Sequence, residues 1–126
     1  MKQTFKKEER LSSKKSIALL FAEGNSFFQY PFKVIFKKEQ TKHPFPVQLL
    51  ISVSKRNFKK AVDRNKIKRL IREAYRKNKH LLYEGLNNNE GSLLLGFIYT
   101  AKTIPEYKEV ESKIILILQR LIKGDA

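Results

Sequence analysis

Residues 47–77 read VQLLISVSKRNFKKAVDRNKIKRLIREAYRK, and two periodicities meet inside them. VQLLISVS, residues 47–54, is a nearly continuous apolar run of strand length, which predicts a strand in a central position. KRNFKK is a basic connector. From about Ala61 to Lys77 the pattern turns helical. At roughly 100° per residue, Ile67, Leu70, Ile71 and Ala74 cluster on one side, with Tyr75 at its edge. Arg64, Asn65, Lys68, Arg69, Arg72 and Arg76 gather opposite, and Lys66, Glu73 and Lys77 fall on a flank. One face can dock on a sheet while the other presents five cations and an amide.

Outward from this unit the chain alternates short elements. Ser13 is a candidate N-cap for a helix carrying Ile17, Leu20 and Phe21, which Gly24 would end. NSFFQYPFKVIFKK follows, with Pro31 placed to split it or hold it at an edge. In it Phe32, Val34 and Phe36 alternate with Lys33, Ile35 and Lys37, the period of a strand. EQTKHPFP is a loop by composition, as is HLLYEGLNNNEGS beyond the basic helix. LLLGFIY, residues 93–99, is another strand. Thr103 and Glu106 form a capping box for a last helix, with Pro105 in its first turn and an apolar stripe of Tyr107, Val110, Ile114, Ile117, Leu118 and Leu121. The expected architecture is α+β: one domain over residues 1–126 in the order α-β-β-α-β-α, helices packed on a small sheet. Residues 1–11 read as a mobile basic arm and 123–126 as a tail.

Composition bounds the chemistry. With 126 residues, 41% of them hydrophobic and 31% charged, the chain can bury one core without staples. There is no cysteine, and His43 and His80 lie too far apart in sequence for a metal-ligand pattern. The N-terminus lacks the apolar run of a signal peptide and no stretch is long enough to span a membrane, so the expected location is the cytoplasm, with no membrane partner.

The net charge of +15 is localised. Residues 55–80 hold twelve lysines and arginines against Asp63 and Glu73, and the first fifteen residues hold six bases against Glu8 and Glu9. The rest is nearly neutral. No acid interrupts the Arg64 to Arg76 face, so it does not read as self-neutralising through i,i+4 pairs. Like charges such as Arg64 with Lys68 cost a few tenths of a kcal/mol each in an isolated helix, approximately. A polyanion would offset that cost; the plain alternative is a solvated basic face. Arginine suits bidentate contact with phosphate. Phe21, Phe27, Phe28, Tyr30, Phe32 and Phe36 fall within sixteen residues, a density that suits base stacking beside a cationic groove. Of these, Phe28 and Phe32 read as core, and Phe21 and Phe36 as candidates to line a groove.

Residues 52–76, SVSKRNFKKAVDRNKIKRLIREAYR, closely resemble the signature of the bacterial ribonuclease P protein subunit. In that family a strand ending S-V-S/P/A-K-K/R leads into a helix bearing R-N-R-I/L-K-R-x-x-R. Here the helix reads Arg64, Asn65, Lys66, Ile67, Lys68, Arg69, Leu70, Ile71, Arg72, with Lys66 where the family has its second arginine. The likeness extends more weakly over about residues 9–122, through element order, the R-L opening before the first helix, and the F-x-x-G of Phe21 to Gly24.

The resemblance implies a left-handed β-α-β crossover around the basic helix, against the usual right-handed rule. It implies an endoribonuclease that acts as a holoenzyme, in which the catalytic RNA performs Mg²⁺-dependent removal of the 5′ leader from precursor tRNA. Mg²⁺ is then held mainly by the RNA and the substrate, and no side chain of this protein is catalytic or a metal ligand. The partners it implies are the catalytic RNA, in a 1:1 complex, and precursor tRNA, with no protein partner required. Arg64, Asn65, Lys66, Lys68, Arg69, Arg72 and Arg76 would contact RNA, as would Lys55, Arg56, Lys59 and Lys60. Phe21, Ile17 and Phe36 would line the leader cleft between the first helix and the sheet; Ile17 stands where the family often has an aromatic, and for Phe36 a register one residue away stays open. From the residues alone, a structured-RNA-binding module such as a ribosomal protein is the alternative. A metal-dependent nuclease in its own right is disfavoured by the scarcity of clustered acids.

Overall fold

The computed structural model describes Phe5 and residues 9–39, 46–86 and 92–123. The expected loop at 40–45 with His43, most of the N-terminal arm, and the tail beyond Lys123 lie outside the described residues. The elements are α1 (Lys14–Glu23), β1 (Asn25–Gln29), β2 (Phe32–Glu39), β3 (Val47–Val53), α2 (Ala61–Leu86), β4 (Ser92–Tyr99) and α3 (Tyr107–Lys123). They form an α+β domain around a four-stranded sheet of order β1-β2-β4-β3. β1, β2 and β4 run antiparallel in turn, and β3 joins β4 in parallel through α2.

The order has one strand more than the alternation in the sequence counted. NSFFQYPFKVIFKK is two strands, broken at Tyr30–Pro31, where the Pro31 carbonyl accepts from the Thr100 backbone N–H and hydroxyl, each at 2.8 Å. β3 also departs from expectation, since it lies at the edge and β4 is central. Its apolar run reflects cover on both faces, not a central place. Val47, Leu49 and Val53 join the main core, while Leu50 packs against a smaller cluster of Leu11, Leu20, Ile35 and Leu94. The outer rim is met at Leu49 by a parallel bridge from Arg10, and the Leu11 N–H donates to the Leu49 carbonyl at 2.9 Å.

α2 runs nine residues past its expected end. The core stripe of Ile67, Ile71, Ala74 and Tyr75 continues through Leu82, with Leu86 packed beside it, so the expected loop is still helix from His80 to Leu86, and its residues 87–91 lie outside the described residues. Fully burying each such aliphatic side chain stabilises the fold by about 1.5–3 kcal/mol. Gly85 lets α3 approach, since a Cβ there would stand 2.6 Å from Ile122 Cγ1. α3 starts later than the capping box predicted. Pro105 keeps Ile104 out of the helical region, the Thr103 carbonyl accepts from the Tyr99 hydroxyl at 2.7 Å, and the Glu106 carbonyl takes the first helical N–H groups. Its expected stripe is the buried one, through Val110, Ile114, Ile117 and Leu118.

α1 starts and stops where the sequence indicates. Ser13 Oγ accepts from the Ser16 N–H at 3.3 Å, and the Gly24 N–H donates to the Leu20 carbonyl at 2.8 Å. Gly24 is there for close approach: a Cβ would lie 2.4 Å from the Leu20 carbonyl oxygen and 2.9 Å from Ile35 Cγ2. Gly24→Ala should therefore cost roughly 1–3 kcal/mol through overpacking, read as a lower urea midpoint with an unchanged slope.

The described part of the N-terminal arm is packed. Glu9 is buried and ion-paired with buried Lys79 of α2, and it accepts from the Tyr83 hydroxyl at 2.6 Å. Phe5 meets Tyr75 edge-on with centroids 5.7 Å apart, and the Arg10 guanidinium sits 5.4 Å from the Phe5 ring.

Candidate nucleic-acid interface

The connector between β3 and α2 is held at both ends. The Phe58 side chain is buried beside Tyr99, and its N–H donates to the Ser54 carbonyl at 3.0 Å. Ser54 Oγ takes the Arg56 N–H at 3.0 Å, and Asn57 Nδ2 donates to the Thr100 carbonyl at 3.3 Å. Lys55, Arg56, Lys59 and Lys60 thus stand exposed on a fixed turn.

On α2 the expected basic face is sorted by its neighbours. Asn65, Lys66 and Arg69 are exposed, and Lys68 and Arg72 are half-buried. Burial, and then the nearby Arg10, lower the affinity of Arg72 for its proton. Arg64 turns Nη1 inward to the carbonyls of Phe58 and Lys59 at 2.8 and 3.0 Å, bracing the connector. Arg76 is committed to Glu73, with Nε and Nη2 at 3.0 and 2.7 Å from its carboxylate oxygens. That contact holds the Glu73 carboxyl below the usual carboxylate range. The expectation that no acid reaches this face fails at Arg76: the three-residue spacing wraps Glu73 round to it. Lys79, one of the twelve bases counted, is buried against Glu9. What stays open is a shorter patch than the charge count suggested, centred on Asn65, Lys66, Lys68, Arg69 and Arg72. Arg10 joins it, a residue that sequence spacing could not put there.

A second feature lies on the opposite face of the sheet. Residues paired across strands share a face, so Phe28, Lys33 and Ile98 stand with Ser52 on the side of α1. α1 crosses the sheet over β2 and β4, with Leu20 buried beneath it. Glu23 reaches Lys37 at 3.7 Å on one flank, which turns the Ile17 and Phe21 flank toward the other half of the face. Ile17 packs into the small cluster and Phe21 is 50% exposed, an accessible ring at the rim of a trough. Phe36 does not belong to this trough. It lies on the other face, packed on the main core and edge-on to Phe27 at 6.1 Å, and Ile35 is the residue of that strand beneath α1. Phe28, read as core, is exposed instead. A period of two fixes which residues share a face but not which face meets which helix.

Among the described residues no group of three or more His, Asp or Glu side chains is placed to hold a metal ion, and no described helix is long and apolar enough to cross a membrane.

A family model described as Ribonuclease P matches residues 5–120. The chain belongs to the ribonuclease P protein family. It is 37% identical over 105 residues to the ribonuclease P protein component of Porphyromonas gingivalis, an alignment covering 83% of this chain and 77% of that protein. With the component from Chlorobaculum tepidum it shares 33% over 121 residues, covering 88% and 78%. The ribonuclease P protein of Thermotoga maritima superposes with a TM-score of 0.69 at 29% identity, over 89% of this chain and 96% of that one. That of Staphylococcus aureus gives a TM-score of 0.71 at 23% identity, covering 91% and 96%, a likeness of fold. As a ribonuclease P protein component, the chain has its place in tRNA processing.

Proposed function

We propose that this chain joins the catalytic RNA of ribonuclease P through the α2 patch and holds the 5′ leader of precursor tRNA along the Ile17 and Phe21 flank of α1. The observation that carries the reading is the set of cations left open on α2, Lys66, Lys68, Arg69 and Arg72, within the segment that matches the family. Lys55, Arg56, Lys59 and Lys60 extend the patch on a turn locked to β4, so little ordering entropy opposes their contact with phosphate. Asn65 adds an amide that can bond a 2′-hydroxyl or a base edge. Arg64 acts first as a brace for the connector, and Arg76 meets RNA with its charge partly offset by Glu73.

No side chain here is offered for hydrolysis. The Mg²⁺-dependent step belongs to the RNA, and the protein contributes binding and electrostatic relief to a 1:1 complex. The test is a reconstitution at low Mg²⁺ with catalytic RNA and precursor tRNA. Cleavage should rise sharply when the protein is added and be absent with protein alone. Binding to RNA without restored cleavage would assign the chain to structured-RNA binding only, and cleavage by the protein alone would overturn the division of labour.

Phe21→Ala should weaken binding of leader-bearing substrate by about tenfold, within the roughly 1–3 kcal/mol of a stacked base. Affinity for the catalytic RNA should be unchanged. Equal loss in both would make Phe21 structural.

A further inference from the structure

One end of the sheet gathers groups that the α2 patch and the α1 flank leave unused. Gln29, Phe32, Tyr99 and Val53 lie in register across β1, β2, β4 and β3, so the β1–β2 turn and the Lys55–Arg56 turn project from the same end. They stand three strand spacings apart, roughly 14 Å. Phe28 and Tyr30 at the first of these turns are 56% and 62% exposed, with ring centroids 6.1 Å apart. Two exposed rings side by side make a small apolar patch, which is more informative than a residue exposed singly. The hairpin is held from behind: Arg120 of α3 lies 4.1 Å from the Phe27 ring and donates to the Phe28 carbonyl at 3.1 Å.

The surroundings select the partner. Phe28 pairs with exposed Lys33 on the face that carries the α1 trough. Three residues of β1, about 10 Å, separate it from the end of α1. The nearest acid on α1, Glu23, is turned away and paired with Lys37. Paired aromatics beside lysine, continuous with a trough that already ends in an exposed phenylalanine, suit unpaired bases on a phosphate chain. A protein partner would find cations around the rings and no apolar surround to exclude water.

We propose that Phe28 and Tyr30, with Lys33, form a second stacking platform for single-stranded RNA, which takes the leader as it leaves the Phe21 flank. This rests on the leader assignment above. The platform makes substrate affinity depend on leader length beyond Phe21.

The test uses the reconstituted holoenzyme with precursor tRNAs carrying a short and a long leader, comparing the wild-type chain with Phe28→Ala/Tyr30→Ala. Both side chains are exposed, so the thermal midpoint should hold. The double variant should bind the long-leader substrate about tenfold more weakly and the short-leader substrate unchanged, and Phe28→Trp should retain the long-leader affinity. Equal loss on both substrates would put the catalytic RNA on the platform and overturn the proposal, as would no loss on either. Phe21→Ala is run beside it. If it too leaves leader-dependent affinity intact, the leader assignment fails; if it alone lowers that affinity, only the platform does.

Discussion

Replacing Arg69 and Arg72 together by alanine is expected to lower affinity for the catalytic RNA by at least about a hundredfold at moderate salt. A hydrogen bond to a charged group contributes roughly 1.5–3 kcal/mol, and losses at two such contacts multiply. Salt dependence separates this mechanism from a general loss of fit. Each neutralised phosphate adds about 0.7–0.9 to the slope of log affinity against log salt, so the double variant should flatten that slope by roughly 1.4–1.8. Arg69 is exposed, and the burial and neighbouring Arg10 that depress the Arg72 pKa mean that its removal also relieves a repulsion. The thermal midpoint should therefore hold. A weakened complex with an unchanged slope would say that neither side chain meets a phosphate, and the face would be solvated.

The second large effect is on stability. Glu9→Leu removes the carboxylate with which the buried Lys79 ammonium is ion-paired, and breaking such a pair costs about 3–5 kcal/mol. For a domain of this size that lowers the thermal midpoint on the order of 15 °C. Glu9→Leu/Lys79→Met should recover most of the loss, because apolar groups of similar volume replace a buried pair at little or no cost. A urea-melt double-mutant cycle measures the coupling. A loss below about 1 kcal/mol in the single variant would mean that water reaches the pair and that residues 9–11 are not clamped to α2.

Both experiments bear on where local sequence is a sufficient guide. The two faces of α2 between Arg64 and Tyr75, the Ser13 cap, the Gly24 stop and the α3 stripe were legible because each depends on residues three or four apart in one helix. The end of α2 is not legible locally, because Gly85 and the asparagines after it resemble a loop, while Leu82 is buried in a core shared with α3 and the sheet, far away in sequence. The edge position of β3 is hidden for a related reason. An apolar run reports cover above and below a strand, and a helix on each side supplies that at an edge as well as in the middle.

The chain itself determined a concentration of cations on one helix face, opposite an apolar one, which follows from composition and the helical period alone. Which of those cations remain open was decided by contacts in the folded chain, some within a turn or two of the backbone and some far apart in sequence. Arg64 is drawn to the carbonyls of the connector, Arg76 to Glu73, and Lys79 to a glutamate seventy residues earlier, while Arg10 is carried to the side of Arg72 by the bridge to β3. Likewise the alternation in β2 paired Phe36 with Phe32 and Val34, but only the packing of α1 on one side and of α2 and α3 on the other settled that Phe36 is core and Phe28 open. A helical or strand period is a property of neighbours along the backbone. Charge neutralisation and burial depend on distances that the backbone closes only when it folds.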